Sequence, residues 1–159
     1  MAVKRKVFKA SAKAKPKAKV KPKAKPIAKP KVKAKARAAQ KPADTSRELA
    51  KKIAEIASDH KAIDIVVLDL RSLTSFADYF VIVSGASDRQ VGAIAEAVRQ
   101  DIKAMGRLPI SEEGLRAGHW ALLDYGDVIL HIFYGEDREY YQLERLWHDA
   151  PRVKFSSIG

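Results

Sequence analysis

The chain has 159 residues, with 31 Lys and Arg against 19 Asp and Glu, and a net charge of +12. It contains no cysteine, which excludes thiol nucleophiles and cysteine-ligated zinc. No apolar run approaches the roughly 20 residues that span a bilayer, and the N-terminus lacks the apolar segment of a secretory signal. A cytoplasmic protein is therefore expected.

The basic residues are concentrated in a tail rich in Lys, Ala and Pro, residues 1–43, which holds 17 of them and no acid. Residues 44–159 hold the other 14 basic groups and all 19 acidic ones, so this part carries −5. Repulsion between lysines, together with regular prolines, predicts a disordered, extended tail. Such a tail can bind nucleic acid through phosphates without reading bases. A solubilising tail and a mitochondrial transit peptide are the alternatives.

Residues 44–159 begin with a predicted helix that opens at Asp44–Glu48, where Thr45 and Glu48 fit a capping box, and runs to about Asp59. The stretches IDIVVLDL (63–70) and YFVIVSG (79–85) are nearly all apolar and β-branched. They predict two adjacent strands that are covered on both faces.

Ser87 and Gln90 form a second capping box, which starts a helix that Gly106 ends. LPI (108–110) predicts a short strand, and GHWALLDYGDVILHIF (118–133) predicts a hairpin. A last helix over Arg138–His148 is expected to turn four residues to the core: Tyr140, Leu143, Leu146 and Trp147. The order predicts an α/β domain with a mixed four- or five-stranded sheet packed with helices.

Strand alternation around the turn of the hairpin separates two faces. Six residues share a nearly apolar face that should meet the core: Ala121, Leu123, Tyr125, Val128, Leu130 and Ile132. The opposite face mixes large apolar and ionisable groups: Trp120, Leu122, Asp124, Ile129, His131 and Phe133. A face of this kind is typical of a protein-binding surface with a tryptophan hot spot. The alternative is that a helix covers it and Trp120 belongs to the core.

Catalytic motifs give a weaker signal. The turn SGAS (84–87) between a strand and a helix could cradle phosphate, as in nucleotidyltransferases, but no Asp-x-Asp follows it to hold a metal. The carboxylate pairs Asp69 with Asp78 and Asp124 with Asp127 do not have that spacing, and the latter pair fits a turn better. Capping by Ser87 is the simpler interpretation of SGAS. No cofactor or metal is predicted.

The stretches DYFVIVSGASDRQ (78–90), GHWALLDYGDVILHIF (118–133) and REYYQLERLWHDAP (138–151) together resemble the ribosomal silencing factor family, RsfS or Iojap, over about residues 46–155. The resemblance implies a nucleotidyltransferase-like fold without the catalytic carboxylates. It also implies binding to ribosomal protein fourteen of the large subunit, a steric block of small-subunit joining that represses translation, and a homodimer when free.

Carried over by motif, the partner-binding residues are expected to be Trp120, Leu122, Asp124, Tyr125, Asp127, His131, Arg138 and Tyr141. Tyr125 conflicts with the alternation, which places it on the core face. The tail lies outside the resemblance and is expected at most to touch ribosomal RNA non-specifically. The competing hypotheses are a nucleotidyltransferase acting on RNA or nucleotides and a general nucleic-acid-binding protein driven by the tail.

Overall fold

The computed structural model describes residues 43–158, so the prediction of a disordered basic tail lies outside the described residues apart from Ala43, which is already helical. The helices and strands follow in this order: α1 (Ala43–Asp59), β1 (Ile63–Asp69), β2 (Tyr79–Gly85), α2 (Asp88–Ala104), β3 (Ser111–Glu113), β4 (Trp120–Asp124), β5 (Val128–Tyr134), α3 (Gly135–Tyr141), α4 (Leu143–Leu146) and β6 (Arg152–Val153).

The strands form one mixed sheet in the order β3-β4-β5-β2-β1-β6. Only the central β2–β5 pair is parallel, and the other pairs are antiparallel. The α/β class is confirmed, but the sheet has six strands rather than four or five. The missed strand, β6, is two residues long and too short to show any periodicity. LPI (108–110) is not a strand, because β3 starts only at Ser111.

The ends of α2 form as the sequence predicts. Ser87 Oγ accepts a hydrogen bond from Gln90 N at 3.1 Å, which satisfies one of the free amides of the first turn. Gly106 follows the helix with φ +88°, and its amide donates to Lys103 O at 2.8 Å. The capping box expected at Thr45 is wrong in position, because α1 already begins at Ala43.

Helices α1 and α2 cover one face of the sheet and form the larger core. Their apolar stripes, which include Ile53 and Ile94, are fully buried against alternate residues of the central strands. All seven residues of β2 are buried, as predicted for a strand covered on both faces. The start of β1 departs from that prediction, because Ile63 is exposed.

The second face of the sheet is only partly covered. Phe76 of the loop before β2, with Leu143, Trp147 and Ala150 of the C-terminal segment, packs over Phe80 and its neighbours on β1, β2 and β5. Towards the edge of the sheet the cover ends: β3 is exposed, and Trp120, Leu122 and Asp124 of β4 are partly exposed. The partial cover decides which hairpin residues remain accessible.

The single helix predicted over Arg138–His148 is instead two short helices. Gln142 stands between α3 and α4 in the left-handed conformation, with φ +46° and ψ +48°. Leu143 and Trp147 pack on the second face as predicted, but Tyr140 and Leu146 are 72% and 64% exposed. In the described part of the chain, no helix is long and apolar enough to cross a membrane.

Candidate functional site

The hairpin pairs in the register that a two-residue turn dictates. Trp120 lies opposite Phe133, and Leu122 lies opposite His131. The turn is closed by Tyr125 N, which donates to Val128 O at 2.9 Å. Because side chains alternate along both strands, this register produces the two faces predicted from the sequence.

The apolar face of the hairpin is buried, as predicted. Ala121, Leu123, Val128 and Leu130 are all fully inaccessible beneath the helices. Tyr125 belongs to this core and is 3% exposed, so its prediction as a partner contact is corrected. Burial raises the pKa of the Tyr125 hydroxyl to about 12. Strand alternation therefore predicted the orientation of Tyr125 correctly, whereas the family motif did not.

Trp120 sits at the boundary between the covered and the open halves of the second face. Its ring stacks on Phe133 at 4.9 Å between centroids and meets Tyr141 at 4.5 Å. Its Nε1–H donates to His131 Nδ1 at 3.2 Å. The indole is partly exposed, so these three contacts hold the ring and leave only part of it accessible.

His131 supports the indole from below and is itself 4% exposed. Burial lowers its pKa to about 3, so the imidazole is neutral at physiological pH. Since Nδ1 accepts from Trp120, the proton lies on Nε2, which is buried with no hydrogen-bond partner among the described residues. The prediction of direct partner contact by His131 is therefore corrected: it orients Trp120.

The open half of this face consists of β3 and β4. The register places Glu113 opposite Leu122, and Ser111 opposite Asp124; both β3 residues are exposed. Together with Trp120 they form a surface, Ser111–Glu113–Trp120–Leu122–Asp124, that we call the docking face. Sequence reasoning missed its β3 members because the strand was expected over LPI, and the three residues SEE have no strand pattern.

The two aspartates of the turn have structural contacts. Asp124 Oδ1 accepts from Gly126 N at 2.7 Å, which is the turn-forming role expected of it. Asp127 is buried, and its Oδ2 lies 3.5 Å from Arg107 Nη2. Burial corrects the prediction of Asp127 as a partner contact, whereas Asp124 remains partly exposed on the docking face.

The two predicted site residues of α3 point in different directions. Tyr141 is 41% exposed and lies beside Trp120 at the border of the docking face. The Arg138 side chain is 11% exposed and forms a bidentate pair with Glu144. Hydrogen bonding from Arg138 keeps the pKa of Glu144 below its ordinary value. Tyr141 is therefore accessible to a partner, whereas most of the Arg138 side chain is not.

A groove of about 1280 Å³ lies between β1 and the α3–α4 segment, and Ser84–Ala86 line it. This volume accommodates a nucleotide, so space alone does not decide against an enzyme. Asp69 and Asp124, one from each carboxylate pair noted in the sequence, do not line the groove: Asp69 is paired with Arg71 at 2.6 Å, and Asp124 closes its turn. Within residues 43–158, no cluster of three or more His, Asp or Glu side chains is placed to hold a metal ion.

Comparison with known proteins places the chain in one family. The model of the family described as "Ribosomal silencing factor during starvation" matches residues 43–159. The ribosomal silencing factor RsfS of Bacillus subtilis is 45% identical over 101 residues, which cover 63% of this chain and 86% of the relative. The chloroplastic protein Iojap of Zea mays is 34% identical over 105 residues, covering 66% of this chain and 46% of that protein.

Two solved structures resemble this chain in both fold and sequence. The crystal structure of a protein from Chromobacterium violaceum has a TM-score of 0.63 at 35% identity and covers 69% of this chain and 91% of that chain. A protein from Bacillus halodurans has a TM-score of 0.60 at 33% identity, covering 70% and 99%.

Proposed function

The chain belongs to the ribosomal silencing factor (RsfS) family, and we propose that it binds ribosomal protein fourteen of the large subunit and sterically blocks joining of the small subunit. Membership of this family supports a regulatory function, the ribosome-associated silencing of translation. The proposed mechanism requires occupancy of one site and neither turnover nor a cofactor. The cytoplasm is the proposed location.

The observation that carries this proposal is the partly exposed Trp120 at the border of the covered half, beside the partly exposed Leu122 and Asp124 of the same strand. Because Trp120 is already partly buried, a partner can cover at most roughly 90 Å² more of it, which is worth about 2 kcal/mol before ordering and desolvation costs. The carboxylates of Asp124 and Glu113 on the same face favour a basic partner surface and disfavour RNA. We propose direct contact by Trp120, Leu122, Asp124 and Tyr141.

Three further properties belong to this proposal. The free protein is a homodimer, for which the partly apolar docking face supplies accessible area. The basic tail touches ribosomal RNA non-specifically and raises the local concentration of the domain. The fold is that of a nucleotidyltransferase without catalytic carboxylates, which the separate pairings of Asp69 and Asp124 support.

The test is co-sedimentation of the protein with separated ribosomal subunits. Trp120→Ala is expected to weaken large-subunit binding by about 30-fold, or roughly 2 kcal/mol, because truncating a central tryptophan typically costs at least that much. Trp147→Phe is the matched control, since it keeps an aromatic ring packed on Phe76 and Phe80 in the covered half. Its binding should stay within twofold of wild type under conditions where it is folded.

Wild-type affinity in the Trp120→Ala variant, or an equal loss in both tryptophan variants, would contradict the docking proposal. Incubation of the wild type with labelled nucleotides, Mg²⁺ and RNA tests the enzyme alternative. We expect no transfer of label, and transfer above background would replace steric blocking with nucleotidyl transfer.

A further inference from the structure

Arg138 links helices α3 and α4 to strands β1 and β2 by hydrogen bonds. Its Nε and Nη2 donate to the two carboxylate oxygens of Glu144 at 2.9 and 3.0 Å. Its Nη1 donates to the backbone carbonyl of Asp64 at 2.6 Å and to Ser84 Oγ at 2.9 Å. One side chain therefore joins β1, β2, α3 and α4, and we call this set of bonds the Arg138 clasp.

The clasp leaves the guanidinium little capacity for a partner. A guanidinium has five N–H groups in a fixed fork, and four hydrogen bonds within the chain occupy most of them. The Arg138 side chain is only 11% exposed. Direct contact between Arg138 and another molecule would require breaking bonds of the clasp, which are charge-assisted and among the stronger kind.

Helix α3 depends on such contacts because it buries none of its residues. Besides the clasp, it is held by the exposed His119–Asp137 contact at 2.9 Å and by Tyr141 against Trp120. Exposed ion pairs contribute little. The clasp is accordingly the strongest polar link between α3 and the sheet among the described residues.

The backbone on both sides of the clasp is unusual. Asp64, whose carbonyl it binds, has φ +51° at an irregularity in the β1–β2 pairing. Gln142 has φ +46°, and the reversal there brings Glu144 back towards Arg138. Non-glycine residues adopt this conformation only where the surroundings hold them. The left-handed conformations of Asp64 and Gln142 thus place two acceptors, the Asp64 carbonyl and the Glu144 carboxylate, within hydrogen-bond distance of one guanidinium.

We propose that Arg138 is a positioning residue for the docking face: it holds α3 so that Tyr141 borders Trp120, and it does not itself touch the partner. This inference rests on the proposed function and deepens it. It assigns different roles to the two predicted site residues of α3: Arg138 faces inward and Tyr141 faces outward. It also assigns a role to Glu144, the other half of the fork.

The test compares Arg138→Gln, Glu144→Gln and Arg145→Gln in large-subunit binding. The first two should each weaken binding about tenfold, since Arg138→Gln removes the fork and Glu144→Gln removes its charge and leaves one acceptor oxygen for its two bonds. Arg145, whose side chain bonds Gln142 in the same segment, is the matched control. In a Tyr141→Ala background, Arg138→Gln should weaken binding less than twofold further. Residues that act through one another give non-additive effects.

Full additivity of the Arg138 and Tyr141 changes would overturn the proposal by making Arg138 an independent contact. Wild-type binding by Glu144→Gln would overturn it by showing that the fork does not position α3. Hydrogen exchange of the free protein supplies a readout that needs no ribosome. Arg138→Gln should accelerate exchange in residues 135–147 and leave β2 and β5 unchanged; unchanged exchange in α3, or acceleration throughout the sheet, would overturn the clasp. If the wild type does not bind the large subunit, the proposed function fails, while the exchange result still decides the clasp.

Discussion

The contact between Trp120 and His131 fixes the orientation of the indole that we propose as a partner contact. A free indole on a sheet surface has several rotamers, and ordering it on binding would cost free energy. The hydrogen bond from Nε1 to His131 Nδ1, with stacking on Phe133, fixes the ring beforehand. The buried imidazole acts as an acceptor only while it is neutral, so protonation would remove the support.

This dependence predicts an effect of pH on stability. The pKa of His131 falls from 6.5 to about 3 on folding, so between these values the unfolded chain binds more protons than the folded one. The free energy of unfolding should therefore decrease as the pH falls below about 6.5, by roughly 2 kcal/mol at pH 5. Urea denaturation at pH 7 and pH 5 measures it.

His131→Asn is the matched variant, because the amide oxygen can still accept from Trp120 but does not titrate in this range. It should be less stable at pH 7, owing to lost volume, and should lose the additional decrease between pH 7 and pH 5. An equal pH dependence in both proteins would contradict the assignment of the effect to His131.

At the scale of elements, the division of the last helix determines which aromatic residues are accessible. An unbroken helix would carry Tyr140 and Leu146 on the same side as Leu143 and Trp147, as their spacing predicts. The left-handed Gln142 turns the chain between them, so that Leu143 packs on the sheet while Tyr140 and Leu146 remain exposed. A local backbone conformation thus overrides helical periodicity.

Replacing Gln142 with glycine tests that conformation. A glycine adopts φ +46° without the steric cost that a Cβ adds, so Gln142→Gly should raise the free energy of unfolding by about 0.5–1 kcal/mol. Gln100→Gly, the same change on the exposed side of the regular helix α2, should lower it by about 1 kcal/mol. Opposite signs in urea denaturation are expected; destabilisation by both would indicate that Gln142 is not strained.

At the scale of the whole molecule, charge is divided between two parts with different roles. The tail carries +17, whereas residues 44–159 carry −5, and the docking face includes the carboxylates of Asp124 and Glu113. Phosphate is repelled from such a face, so we propose that the tail, rather than the docking face, contacts RNA. The domain would then supply specificity, and the tail non-specific attraction.

Removal of residues 1–42 should therefore change the salt dependence of large-subunit binding. Each phosphate contact contributes a slope of about −0.9 in log K against log salt on a duplex and about −0.7 on a single strand. The truncated protein should bind more weakly at low salt, with a much flatter slope, and converge with the full chain at high salt. Binding titrations between 50 and 500 mM KCl measure both slopes, and an unchanged slope would reject the tail as an RNA tether.

Much of this architecture follows from local sequence. The strands 63–69 and 79–85, the caps of α2 at Ser87 and Gly106, and the two faces of the hairpin were all predictable, because they depend on periodicity and on turn and cap chemistry within a few residues. The alternation even placed Tyr125 in the core correctly, against the expectation carried over from the family motif.

Only the tertiary structure determines which segments cover each face of the sheet. Whether Trp120 is accessible depends on the loop around Phe76 and the segment around Trp147, which come from distant parts of the chain and cover only half of one face. The burial of His131, the hydrogen bonds of Arg138 to Asp64 and Ser84, and the pairing of β3 and β6 arise from contacts between different elements. Such contacts leave no period in the sequence, since they are selected by packing and hydrogen bonding between elements rather than within them.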